Sequence, residues 1–186
     1  KNLSNMIAAG EAVERPASVV KELVENSIDS GADIITVEIR GGGKTYIRVT
    51  DNGCGMTKED AKTAFLRHAT SKISCEADLF NISTMGFRGE ALAAIAAVSK
   101  VELLTAVSLD YYGTEIIIEG GEEISCKEVG LPEGTTIIVR DLFYNTPARM
   151  NFLKKDTTES ANIVSLINKF AIGYPNISFK LINDNR

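Results

Sequence analysis

Between residues 100 and 141, four strand-like segments, VELLTAV, YGTEIIIE, ISCKEV and TTIIVRD, follow one another with no helical period between them. Strands that succeed each other so closely pair antiparallel, because a parallel pair needs a long crossover. Upstream, ITVEIR and TYIRVTD alternate apolar and polar residues on either side of GGGK, the pattern of a hairpin. The helical patterns are kept together around these strands. The expectation is an α+β chain built as a two-layer sandwich, rather than a series of βαβ units.

The helices are read from period and punctuation. Residues 16 to 30 carry Pro16 in the first turn and Gly31 just past the end, the start and stop of a helix. At about 100° per residue, Val19, Val20, Leu23, Val24 and Ile28 share one side, while Glu22, Asn26 and Asp29 form a narrow stripe on another. Glu22 and Asn26 are thus i, i+4 neighbours. The stripe is either a solvated polar face or the wall of a site. Thr57 to Asp60 reads as a capping box opening a helix to about Arg67, and EALAAIAAVS at 90 to 99 as a second helix. The roughly twenty residues between them show little periodicity, and a loop that long in a compact domain is usually functional or mobile. After the strands come a loop, FYNTPAR, a helix over about 157 to 172 ending at GYP, and a last strand, ISFKLI.

Composition removes several function classes. With 186 residues, 44% hydrophobic and 24% charged, the chain can bury a core as one α/β domain, or as a domain plus the beginning of another. A net charge of −5 and a pI near 5.0 argue against a basic nucleic-acid platform, though a local basic patch remains open. Cys54, Cys75 and Cys126 lack CxxC spacing and are joined by a single histidine, His68, so neither a disulfide frame nor a zinc site is supported. Reduced thiols fit a cytoplasmic protein, or a nuclear one in a eukaryote. Neither a membrane span nor an export leader is expected. The first residue, Lys1, and the polar end suggest a piece of a longer protein.

GGGKT at 41 to 45 invites a P-loop reading, but the motif needs a glycine where Glu38 stands, and a strand leading into a helix rather than into a second strand. Three other stretches carry more. DNGCGM at 51 to 56 puts Asp51 at a strand end, with Gly53 and Gly55 shaping either a loop open to a flat ligand or an ordinary turn. GFRGEAL at 86 to 92 places two glycines before a helix, where free N–H groups and the helix dipole can seat phosphate. GTT at 134 to 136 sets a glycine and a hydroxyl at the start of another strand.

The order Glu-x-x-x-Asn, Asp-x-Gly-x-Gly, Gly-x-x-Gly and Gly-Thr resembles the GHKL ATPase superfamily, which spans topoisomerase ATPase subunits, a heat-shock chaperone and sensor histidine kinases. Within it, IAAGEAVERPASVVKELVENSIDSGA, RHATSKI, GFRGEAL and LFYNTPAR resemble the MutL family of DNA mismatch repair ATPases, over about residues 5 to 155. The resemblance implies the GHKL (Bergerat) sandwich, a mixed, mostly antiparallel sheet with helices on one face, spanning 1–186 as an ATP-binding domain with ATP and Mg²⁺ as cofactors.

It also implies roles. Glu22 would be the general base that orients the attacking water, and Asn26 would offer an amide oxygen to Mg²⁺. Asp51 would accept from the adenine amino group and repel guanine's carbonyl, with Thr135 supporting it and Gly53, Gly55 and Met56 around the base. Gly86, Phe87, Arg88, Gly89, Glu90, Ala91 and Leu92 would form the phosphate loop, within a lid running from about Ala69 to Gly89. Lys72 either approaches the phosphates or is a solvated charge. His68 anchors the lid, packs, or less readily accepts phosphate; Arg149 meets DNA phosphates or a carboxylate. Glu25 and Asp29 are expected on the solvated edge of the helix.

For the longer protein, the resemblance implies ATP-driven homodimerisation that closes a clamp on DNA and relays mismatch detection by MutS to nicking and strand removal. A lysine for the γ-phosphate would come from a second domain, so this segment is expected to hydrolyse ATP poorly; the N-terminal arm that would swap between protomers looks truncated ahead of Asn5, so it is also expected to stay monomeric. A nucleotide-gated scaffold is the rival class, and a sensor kinase would need a separate phospho-acceptor helix.

Overall fold

The computed structural model describes residues 13–66, 91–108, 110 and 112–184. In chain order these form α1 (Pro16–Asp29), β1 (Ile34–Arg40), a 3-10 turn (Gly41–Gly43), β2 (Tyr46–Asp51), α2 (Lys58–Thr63) and α3 (Ala91–Ala97). There follow β3 (Lys100–Ala106), β4 (Gly113–Glu119), β5 (Glu122–Val129), β6 (Gly134–Arg140), α4 (Pro147–Phe152), α5 (Asp156–Gly173) and β7 (Ser178–Asn183). The strands make one sheet in the order β5-β4-β3-β6-β2-β1-β7. Every neighbouring pair is antiparallel except β1 and β7, which run parallel.

The register explains both the core and the site. On the inner face, Val37, Val49, Ile137, Leu103 and Ile116 stand side by side across five strands, and Ile39, Ile47, Val139, Val101 and Ile118 form the next row. All ten are buried and share a core with Val19, Val20, Leu23 and Val24 of α1 and Ile163, Ile167 and Phe170 of α5. Each such side chain contributes about 1.5–3 kcal/mol when fully buried. One row further along, the pattern changes to Ile35, Asp51, Thr135, Thr105 and Thr114. The apolar floor of the sandwich thus turns polar at one end. The outer face carries the other parity of each strand, where Glu38 is paired by Arg40 at 2.9 Å and Arg48 at 2.6 Å, and Arg140 meets Glu102 at 3.3 Å.

Three expectations need correction. The helix opened by Thr57, whose hydroxyl accepts the Asp60 N–H at 3.2 Å, ends at Thr63 rather than near Arg67. FYNTPAR is not all loop: Pro147 starts α4, in the first-turn position where its missing N–H costs nothing. Glu25 does not lie on a solvated edge; it is 6% exposed and receives the Lys21 ammonium at 2.7 Å. Asp29 is half-buried.

Phe143 shows why the FYN turn matters. It is fully buried at a φ of 67°, a left-handed conformation unusual for a bulky side chain. Its N–H donates to Val98 O at 2.7 Å, tying the turn to the end of α3. The ring is part of the buried core. Phe143→Ala is expected to lower unfolding free energy by about 3–5 kcal/mol in a urea titration.

Candidate functional site

The polar end of the sheet meets α1 at Ser27, on the core side of that helix. Asp51 closes β2, and three donors hold its carboxylate. Gly53 N donates to Oδ1 at 2.9 Å and Thr135 N to the same oxygen at 3.3 Å, while the Ser27 hydroxyl donates to Oδ2 at 2.7 Å. Thr135 therefore supports Asp51 through its main chain, and its hydroxyl lies 3.0 Å from that of Thr105. The loop after Asp51 is strapped on both sides. Cys54 N donates to Ser30 O at 3.1 Å, and Met56 N to Thr105 Oγ1 at 2.9 Å. Asn52 turns the other way and accepts the N–H groups of Asp33 and Ile34, capping the start of β1.

Both loop glycines answer a steric demand. A Cβ on Gly53 would run into the Ser30 side chain. Gly55 sits at a φ of +67°, and a Cβ there would overlap the Ala106 carbonyl, so a side chain meets both strain and a main-chain clash. Gly55→Ala is expected to displace the loop and weaken nucleotide binding by at least about tenfold, since such a conformation costs about 1–3 kcal/mol. Calorimetry on the variant checks it.

Glu22 and Asn26 are both half-buried on α1, one turn apart, on the stripe that leads away from Ser27. The Glu22 side chain is 25% exposed and lies 3.5 Å from Lys21 Nζ, which prefers Glu25 at 2.7 Å. Partial burial pulls the Lys21 pKa down, but the hydrogen bond to Glu25 and the charges of Glu22 and Glu25 outweigh it and hold the pKa above the ordinary lysine value. Lys21 is thus a fixed cation at the rim. Ala91 and Leu92 open α3, with Leu92 packed on the core. Lys72, Gly86, Phe87, Arg88, Gly89 and Glu90, together with His68 and the whole of the lid, lie outside the described residues. Arg149 is set 6.0 Å from the centre of the Phe143 ring, in cation–π range.

Two residues of this cluster were not anticipated from the sequence. Ser27 is 3% and Thr105 1% exposed. The available signal for Ser27 was a hydroxyl on the apolar side of the helix, four residues after Leu23 and three after Val24; a buried hydroxyl must find a partner. Thr105 gave no signal short of strand register.

The model of the histidine kinase-, DNA gyrase B- and HSP90-like ATPases matches residues 14–118, more than half of the chain. The chain belongs to this ATPase family. Among individual proteins it is similar to DNA mismatch repair protein MutL of Agathobacter rectalis, 55% identical over 180 residues, which is 97% of this chain and 28% of that protein. MutL of Caldanaerobacter subterraneus is 55% identical over 182 residues, 98% of this chain and 31% of that protein. The chain thus spans about three-tenths of the length of these relatives. Among solved structures it resembles the Aquifex aeolicus MutL ATPase domain complexed with ADP, at a TM-score of 0.78 and 37% identity, covering 94% of this chain and 62% of that one. The expected membership and the GHKL sandwich both hold. No helix among the described residues is long and apolar enough to cross a membrane.

Proposed function

We propose that this chain binds ATP together with Mg²⁺ and hydrolyses it slowly, as the N-terminal ATP-binding domain of a longer MutL-type DNA mismatch repair protein. The observation that carries the reading is Asp51, a carboxylate fixed by three donors at the polar end of an apolar sheet face, one of them Ser27 of the helix that carries Glu22 and Asn26. Asp51 reads the exocyclic amino group of adenine, and the loop through Gly53, Gly55 and Met56 lets the flat base approach the backbone. Glu22 orients the attacking water and takes its proton.

The oxygen chemistry of the stripe suits Mg²⁺, which takes few protein ligands and leans on substrate phosphates. Asn26 would hold it through a neutral amide oxygen, and the ion would there screen the phosphate charge. In this reading Lys72 and Gly86 to Leu92 bind the phosphates. The relatives' printed name, a DNA mismatch repair protein, supports a repair role for the longer protein; in this reading ATP closes two N-terminal domains of a homodimer on DNA, downstream of a MutS-type partner.

Light scattering on the longer protein, with and without a non-hydrolysable ATP analogue, tests the switch. A compaction that appears with the ATP analogue and is absent with ADP is expected; identical profiles would overturn it.

A further inference from the structure

We propose that Ser27 is a positioning residue for nucleobase recognition, holding Asp51 so that a single acceptor position is left for an amino group on the base. This rests on the reading of Asp51 as the base-reading carboxylate. Ser27 lies on the core side of α1 and its hydroxyl carries one proton. Two acceptors are within reach, Leu23 O at 3.2 Å and Asp51 Oδ2 at 2.7 Å. The nearer and charged acceptor takes the proton.

A carboxylate oxygen accepts about two hydrogen bonds. Oδ1 is filled by the N–H groups of Gly53 and Thr135, whereas Oδ2 receives Ser27 alone among the described residues. The remaining position on Oδ2 is therefore the one a ligand amino group can use. Without Ser27, the carboxylate would be held through one oxygen and free to swing about it. Ser27 also directly follows Asn26 in the same helix, so the base-reading carboxylate and the polar stripe are referenced to one rigid element.

The test titrates the protein with a non-hydrolysable ATP analogue and with the matching analogue of purine riboside triphosphate, which lacks the 6-amino group. Wild type should lose roughly 10- to 100-fold in affinity without that group, the worth of a hydrogen bond to a charged acceptor. Ser27→Ala should bind the ATP analogue more weakly and show a discrimination of under about threefold, and Ser27→Thr, which keeps the hydroxyl, should restore it. Ser27→Cys, similar in shape but a weak donor, gives the same comparison should the alanine variant not fold. An alanine variant that weakens both ligands equally and keeps the wild-type ratio overturns the positioning role while leaving Asp51 in place. Wild type that does not discriminate overturns the reading of Asp51, and this proposal with it.

Discussion

Glu22→Ala in the longer protein is expected to lower ATP turnover by about 10²–10⁴-fold, the usual worth of a general base, while nucleotide affinity stays within a few-fold of wild type. Three features of α1 support the size of the effect. Glu22 is half-buried, so its carboxylate is partly screened from bulk water yet open to a ligand. Lys21 contacts it only at 3.5 Å and is committed to Glu25 at 2.7 Å, so the Glu22 oxygens are not tied up by a close ion pair. Its neighbour one turn on, Asn26, adds no charge beside the phosphates. Loss of the carboxylate therefore removes proton acceptance without removing a binding contact. Single-turnover hydrolysis measured beside equilibrium binding separates the two. Turnover equal to wild type would sink the base assignment and favour a nucleotide-gated scaffold.

Asp51→Asn should abolish the base preference rather than merely weaken binding. Gly53 N and Thr135 N both donate to Oδ1, so in the variant the amide oxygen must take that place. The amide NH₂ then occupies the position of Oδ2. Ser27 can accommodate it by turning its proton to Leu23 O, 3.2 Å away. A donor would then face the ligand where an acceptor stood, opposing the adenine amino group and matching the guanine carbonyl. ATP affinity is expected to fall about 100-fold or more, as for a buried polar group left facing its own kind, and the preference for ATP over GTP to vanish. An Asp51→Asn variant that retained wild-type selectivity would remove Asp51 from base recognition.

Much of this was legible in the sequence because period and punctuation carry it. Pro16 and Gly31 bracketed α1 correctly, since they act on the local backbone whatever packs above it. The alternation in ITVEIR, TYIRVTD and the four later strands placed the sheet, because one face had to be buried. What was not legible depended on partners distant in sequence. Glu25 reads as surface, and only the packing of α1 into the rest of the fold buries it to 6% exposure. Thr105 becomes part of the site only because β3 pairs with β6 in a register that sets it beside Thr135. Phe143 reads as an ordinary loop aromatic, and only the tertiary tie to Val98 holds it at a positive φ.

The most direct measurement is a calorimetric titration of this chain with non-hydrolysable analogues of ATP and GTP, each with and without Mg²⁺. Selective binding of the ATP analogue that strengthens with Mg²⁺ is the predicted result, tying Asp51 to the base and Asn26 to the metal-bearing phosphates. Equal binding of the GTP analogue would contradict it.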